Sequence, residues 1–211
     1  MKKILVSDYD RTFYLNKEGI KKNIEAVEKF RKNGNLFVIA TGRSFLDFKK
    51  KQYKYHFDYD YVILNHGATI LDRKGHILDN NVINNEVVLD IKKDVQDIKT
   101  KKQFCCSAKE SRVDFLFGNI TKIYLEYESQ NITTMVNEMI NNKYGEYVNS
   151  YDAGWNIVET IGDGNSDFSM IKEFNGFCME NSVLKLKEYC KDRTKRSVSD
   201  FIEDILNEKI K

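Results

Sequence analysis

The chain has 211 residues, of which 41% are hydrophobic and 12% aromatic, enough for one large domain or for a packed core with a small insert. Its 34 Lys and Arg residues nearly balance 32 Asp and Glu residues, and a net charge of +2 argues against nucleic-acid or membrane-surface binding. No stretch reaches the roughly 18 apolar residues of a membrane span, and the short apolar run near the N-terminus predicts a cytoplasmic protein. The four cysteines have no metal-site spacing and are expected to be reduced thiols.

The first part of the chain alternates between short apolar runs and segments with helical periodicity. This alternation predicts a parallel sheet with right-handed crossover connections. In chain order the pattern predicts a strand at 3–7, a helix at 20–30 that Gly34 ends, a strand at 36–40, a helix at 44–52, a strand at 62–64 and a hairpin at 68–78.

The middle of the chain has a different pattern, typical of a small α+β insert. It predicts a helix at 87–98, antiparallel strands at 113–117 and 122–128, and a helix at 132–140. After it come a strand at 155–161, helices at 167–174 and 183–190, and a last helix that Ser199 could cap. We therefore predict a core formed by residues 1–80 and 150–211, and an insert at 81–149.

Acidic residues follow two of the predicted core strands. Asp8 and Asp10 come directly after the first strand, where ligands bind in open α/β sheets. Asp163 and Asp167 follow the strand at 155–161. If these strands are neighbours, three carboxylates converge and require a cation, and oxygen ligands of this kind suit Mg²⁺.

Three motifs in order, together with one turn, resemble those of the haloacid dehalogenase-like (HAD) hydrolases, and in particular their Cof-like branch. Asp8-Tyr9-Asp10-Arg11-Thr12 resembles the first motif of that family, and Thr41-Gly42-Arg43 resembles the second. Gly162 to Asp167 resembles the acidic fourth motif, and Asn65-His66-Gly67-Ala68 resembles the turn before the cap. The resemblance implies a Rossmann-like parallel sheet core with an inserted α+β cap that selects the substrate.

The resemblance also implies a function, that of a Mg²⁺-dependent phosphatase acting on a small phosphorylated metabolite such as a sugar phosphate or cofactor phosphate. Asp8 would be the nucleophile that forms an aspartyl-phosphate, and Asp10 the general acid and base. The remaining implied roles are phosphate binding for Thr41 and Gly42, Mg²⁺ binding for Asp8, Asp10, Asp163 and Asp167, and substrate or structural roles for Arg11, Thr12, Arg43 and Asn65.

One element of the family pattern is missing. The third motif, a lysine followed by a helix, should precede the fourth, but only seven residues separate Trp155 from Asp163 and none is lysine. A parallel crossover needs roughly a dozen residues. Loss of the lysine would weaken catalysis. Loss of the helix would expose an apolar face of the sheet, which a homodimer could cover.

Two questions therefore stay open at the level of the sequence. The chain could be a catalytically impaired relative that binds Mg²⁺ and phosphorylated ligands, although it keeps both Asp8 and Asp10. A phosphomutase on the same scaffold is a third reading, which no residue favours. Arg11, where the family has glycine, is either a solvent-exposed turn residue or a replacement for the lost positive charge.

Overall fold

The computed structural model of the protein describes residues 2–154, 156–161, 176–182, 184–191 and 193–207. These residues form two five-stranded sheets and one two-stranded sheet. The acidic motif at 162–167 and the helix predicted at 167–174 lie outside the described residues. Within the described ranges, every helix is too short or too polar to cross a membrane.

The first sheet contains the N-terminal third of the chain. Its strands β1 to β3 are parallel, whereas β3, β4 and β5 are antiparallel to one another, and the spatial order follows the chain. Two helices, α1 and α2, connect the parallel strands. The bounds are β1 Ile4–Asp8, α1 Lys17–Lys32, β2 Leu36–Ala40, α2 Phe45–Tyr55, β3 Tyr61–Leu64, β4 Thr69–Asp72 and β5 Ile77–Asn80. The predicted α/β class with a parallel core is confirmed.

Apolar side chains of α1 and of the last helix cover this sheet. Ile20 and Phe30 of α1 pack in the same buried cluster as Val198 and Ile202. The last helix, Val198–Leu206, begins at Ser197, whose hydroxyl accepts a hydrogen bond from the Asp200 amide at 3.1 Å. The cap is therefore Ser197 and not Ser199.

The second sheet holds the insert, with two helices on one of its faces. Its strand order is β7-β6-β8-β10-β9, and every neighbouring pair is antiparallel. Buried side chains from α3, α4 and the sheet form a separate core, including Ile91, Ile123 and Ile140. The bounds are α3 Asn85–Val95, β6 Lys102–Cys106, β7 Ser111–Val113, β8 Lys122–Glu126, α4 Gln130–Tyr144, β9 Asn149–Gly154 and β10 Ile157–Ile161.

The strand that leads to Asp163 differs from the sequence-based expectation. The sequence predicts that residues 155–161 belong to the core and leaves open whether they neighbour β1, but β10 pairs with β8 and β9 of the second sheet. Only two residues separate β9 from β10, which favours an antiparallel hairpin because a parallel connection needs about a dozen residues or more. The second sheet thus extends past the predicted insert border at residue 149, and β1 is an edge strand among the described ones.

The remaining described elements are short. Cys178–Met179 (β11) pairs in parallel with Thr194–Lys195 (β12). The helix Leu184–Cys190 (α5) lies between them, and α6 is the last helix, Val198–Leu206. Lys195 of β12 forms an ion pair with Asp204 of α6 at 2.7 Å, which ties this segment to the helix that covers the first sheet.

Candidate active site

The loop after β1 is closed by its own backbone. The Phe13 amide donates to the Asp8 carbonyl at 3.1 Å, and the Tyr14 amide donates to the Tyr9 carbonyl at 2.7 Å. The Arg11 amide donates back to the Tyr14 carbonyl at 2.9 Å. These hydrogen bonds fold residues 8–14 into a tight turn that holds Asp8 and Asp10 at the carboxyl end of the sheet, as the sequence predicts.

Arg11 occupies the position where the family has glycine. Its φ of 63° lies in the left-handed region, which glycine adopts without steric cost. Its carbonyl accepts a hydrogen bond of 2.8 Å from the Asn181 side chain, and the residue is exposed. These observations favour the reading of Arg11 as a solvent-exposed turn residue, while its neighbour Thr12 is partly buried in the same turn.

Arg43 holds the carboxylate of Asp10 through two hydrogen bonds. Its Nε and one terminal nitrogen each donate to a different oxygen of Asp10, both at 2.8 Å. Burial lowers the pKa of Arg43, but the hydrogen bonds and negative charge of Asp10 outweigh it and raise that pKa overall. The guanidinium also lies 5.7 Å from the ring centre of Tyr9, a buried residue. Two motifs distant in sequence are thereby joined, and the orientation of Asp10 is fixed.

Thr41 and Gly42 follow β2 beside the first loop. Asp8 pairs in register with Ala40, so the two loops leave neighbouring strands at the same level of the sheet. The Thr41 amide donates to the Ile63 carbonyl at 2.9 Å, and the Thr41 hydroxyl oxygen accepts from the Arg43 amide at 3.2 Å. This turn leaves the hydroxyl proton of Thr41 for another acceptor, as a phosphate-binding role requires.

Gly42 is packed directly against His66. A Cβ atom on Gly42 would lie 2.1 to 2.8 Å from three atoms of the His66 ring. The ring also meets Tyr151 of β9 edge-on, with 5.1 Å between the ring centres. His66 therefore fills the space between the loop after β2 and the second sheet, and only glycine fits at position 42.

This packing predicts the effect of Gly42→Ala. We expect the free energy of unfolding to fall by about 1–3 kcal/mol because the new methyl group overlaps a ring that Tyr151 also confines. Denaturant unfolding of Gly42→Ala, His66→Ala and the double variant measures this. His66→Ala should recover part of the loss in the Gly42→Ala background. A double variant no more stable than Gly42→Ala would refute the packing explanation.

Asn65 joins the two sheets. It is fully buried, with φ at 50°, and its side-chain amide donates to the Thr121 hydroxyl at 3.0 Å and the Ser107 carbonyl at 3.3 Å. Its Oδ1 atom accepts no hydrogen bond from the described residues. The structure therefore places Asn65 at the junction of the core with the insert, a structural position within the alternatives that the sequence left open.

Two further side chains of the second sheet reach the loop after β2. The Lys122 ammonium donates to the Gly42 carbonyl at 2.9 Å, and Lys122 is only 5% exposed. The Ser111 hydroxyl donates to that of Ser44, the residue before α2, at 2.6 Å. The insert thus covers the carboxyl end of the first sheet. Only the packing of one sheet on the other brings Lys122 to this loop.

The oxygen ligands available here fit Mg²⁺. The Asp8 carboxylate and the Asp10 carbonyl lie on one loop, and hard oxygen ligands are those that Mg²⁺ prefers. No three acidic, histidine or cysteine side chains cluster as a metal site within the described residues. The further ligands predicted from the sequence, Asp163 and Asp167, lie outside those residues.

Comparisons with known proteins agree with this geometry. A family model described as haloacid dehalogenase-like hydrolase matches residues 5–149, more than half of the chain. An uncharacterized protein of Mycoplasma capricolum is 29% identical over 146 residues, which are 63% of this chain and 54% of the relative. The chain therefore spans about half the length of this curated relative.

Solved structures of the same fold match nearly the whole chain. A haloacid dehalogenase-like hydrolase from Bacteroides thetaiotaomicron covers 97% of this chain and 99% of its own, at 15% identity and a TM-score of 0.74. A HAD/Cof-like hydrolase from Plasmodium vivax covers 99% and 96%, at 14% identity and a TM-score of 0.75. A second protein from B. thetaiotaomicron, described among HAD phosphatases, covers 98% and 94%, at 13% identity and a TM-score of 0.70.

Proposed function

The chain belongs to the haloacid dehalogenase-like hydrolases, and from this premise we propose that it is a Mg²⁺-dependent phosphatase of small phosphorylated metabolites. The observation that carries the proposal is the joining of two motifs at one end of the sheet. Arg43 donates hydrogen bonds to both oxygens of Asp10. Asp8 lies in register with Ala40, the residue that precedes Thr41. We infer from this arrangement that Asp8, Asp10 and Thr41 act together, as nucleophile, proton carrier and phosphate-binding hydroxyl.

In the proposed reaction a carboxylate oxygen of Asp8 attacks phosphorus, and the bond from phosphorus to the leaving oxygen breaks. Asp10 gives its proton to that oxygen, so the product leaves as an alcohol. Asp10 then accepts a proton from the water that attacks the aspartyl-phosphate, which frees phosphate and restores the Asp8 carboxylate. The two acids lie on one closed loop, which keeps their spacing fixed through both steps.

Asp8, the Asp10 carbonyl and Asp163 would hold the Mg²⁺, with Asp167 nearby. When bound, the ion lowers the repulsion between the Asp8 carboxylate and the phosphate dianion. The Thr41 hydroxyl would donate to a phosphoryl oxygen, and the turn at Gly42 keeps that loop close to the second sheet. The insert packs against the loop after β2 beside these groups, which suits a small substrate better than a macromolecule.

The proposed compartment is the cytoplasm. All four cysteines are buried and free, as expected where thiols stay reduced. A catalytically impaired relative is the second candidate, favoured by the missing third-motif lysine. Against it stands the presence of both Asp8 and Asp10, because a protein that only binds its ligand has no need to keep the nucleophile together with its acid and base.

The proposal is tested by phosphate release from a generic aryl phosphate. We expect turnover with Mg²⁺, its loss by at least about 10²-fold after chelation, and recovery when Mg²⁺ is restored, because the metal supplies several kcal/mol of charge stabilisation. Calcium, which has a larger coordination shell, should restore little. Release that does not change on chelation would contradict the metal requirement, and no release with Mg²⁺ would favour the impaired relative.

A further inference from the structure

We propose that Asn181 is a positioning residue for the loop after β1, because it holds Arg11 in the left-handed conformation on which the direction of the Asp10 carbonyl depends. The inference rests on the proposed function and adds a residue to the same site. In this assignment Asn181 acts on the reacting groups through the backbone of Arg11 and not by contact with the substrate. The loop that carries Asp8 and Asp10 is then held in its active shape by a residue 170 positions further along the chain.

The first support is the conformation of Arg11. Its φ of 63° lies in the left-handed region, which is unfavourable for residues that have a Cβ atom. Arginine stays in this region only where the surrounding structure fixes the peptide groups on both of its sides. The Arg11 amide donates to the Tyr14 carbonyl at 2.9 Å, and the Arg11 carbonyl accepts from the Asn181 side chain at 2.8 Å. The first of these hydrogen bonds lies within the loop, and the second comes from outside it.

The second support is the covalent link between Arg11 and a proposed metal ligand. The Arg11 amide and the Asp10 carbonyl belong to one planar trans peptide group, so the N–H and the C=O point in opposite directions. Because the amide points at the Tyr14 carbonyl, the Asp10 carbonyl points away from it. A return of Arg11 to the right-handed region would rotate this peptide group and turn the Asp10 carbonyl, which would hold the Mg²⁺.

The third support is the anchorage of the turn that carries Asn181. The Met179 amide donates to the Ser182 hydroxyl at 3.1 Å, and the Ser182 amide donates to the Met179 carbonyl at 2.9 Å. Met179 is buried and belongs to β11, which pairs with β12. The Asn181 side chain is exposed, but it extends from a backbone that is fixed on both sides. Its amide therefore restrains the Arg11 carbonyl and does not simply follow it.

The test compares Asn181→Ala and Asn181→Asp with Asn33→Ala as the matched control. Aspartate keeps the shape of the side chain but has no donor, and Asn33 is an exposed asparagine that donates to the Lys29 carbonyl at 2.9 Å. We expect kcat on an aryl phosphate to fall about 3–10-fold in both Asn181 variants, the factor that one hydrogen bond of ordinary strength contributes. KM should change less than kcat because Asn181 does not contact the substrate. Asn33→Ala should match the wild type.

Hydrogen exchange gives a readout that requires no turnover. The amides of Arg11, Phe13 and Tyr14 donate within the loop, so their exchange rates report how often the loop opens. In both Asn181 variants these amides should exchange about 3–10-fold faster, while the amides of α1 keep their wild-type rates. Faster exchange in the loop supports the role of Asn181 even if the wild type hydrolyses no phosphate ester and the proposed function fails. Unchanged exchange in the loop, or equal acceleration throughout α1, overturns the inference.

Glycine at position 11 distinguishes a positioning role from a purely structural one. Glycine adopts a positive φ without steric cost, so the loop of Arg11→Gly does not need Asn181 to keep this conformation. Asn181→Ala should therefore lower kcat less in the Arg11→Gly background than in the wild-type background, as a double-mutant cycle measures. An equal loss in the two backgrounds, or a wild-type kcat in both single Asn181 variants, overturns the inference.

Discussion

Replacing Asp8 with Asn is expected to reduce aryl phosphate turnover by at least about 10³-fold, because an amide does not form the aspartyl-phosphate. The change leaves the volume of the side chain and the backbone hydrogen bond from Phe13 to the Asp8 carbonyl in place. Folding should therefore persist. Steady-state release of phosphate, measured with saturating substrate and Mg²⁺, gives the loss in kcat.

Two measurements distinguish the loss of the nucleophile from a loss of folding or of phosphate binding. Asp58→Asn is the matched control, since Asp58 is 78% exposed and lies before β3, at the opposite end of the sheet. It should keep wild-type turnover. Asp8→Asn should bind inorganic phosphate at least as tightly as the wild type does, because one carboxylate that repels the anion is gone. Wild-type turnover in Asp8→Asn would exclude Asp8 as the nucleophile.

Replacing Asp10 with Asn is expected to affect substrates unequally. Hydrolysis of an alkyl phosphate should slow by about 10²–10⁴-fold, the usual contribution of general acid catalysis, since an alkoxide is a poor leaving group. A nitrophenyl phosphate needs no such protonation, so its first step should remain fast. The second step should then be slow because the attacking water has lost its base.

The expected signature is a burst of one nitrophenolate per active site, followed by a slow phase and by accumulation of phosphorylated protein. Rapid-mixing absorbance measures the burst, and intact-protein mass measures the phosphoryl group. Alkyl phosphate should give no burst. Equal losses on the two substrates without a burst would show that Asp10 only orients Arg43, with which it shares two hydrogen bonds.

Local sequence patterns predict the first sheet well because its strands are apolar and its helices amphipathic. β1, α1 and β2 lie where periodicity places them, and the hairpin of β4 and β5 surrounds the predicted turn. The site motifs on these elements are short and lie at strand ends. That they lie close to one another in space therefore follows from the parallel topology alone. The pairing of Arg43 with Asp10 is harder to foresee, since it depends on side-chain orientation across two loops.

The second sheet shows where sequence patterns are insufficient. β6 begins with Lys102-Gln103 and β9 contains Asn149, Ser150 and Asp152, so neither segment has the apolar alternation of an ordinary strand. Each forms a strand because β8 and β10 offer edges to pair with, which is a tertiary effect. Pairing with β8 and β9 likewise places β10 in the second sheet and not beside β1. The contact between Lys122 and Gly42 depends on this arrangement and leaves no signal in the sequence.

The most direct test of the central claim is a crystal structure with Mg²⁺ and a phosphate mimic such as vanadate. We expect a carboxylate oxygen of Asp8 in line with the mimic, about 3 Å from its central atom before any bond forms, and Asp8 and Asp163 on the same Mg²⁺. The Thr41 hydroxyl should donate to an oxygen of the mimic. A mimic bound away from Asp8, with the Asp163 carboxylate on the far side of the second sheet, would contradict the account.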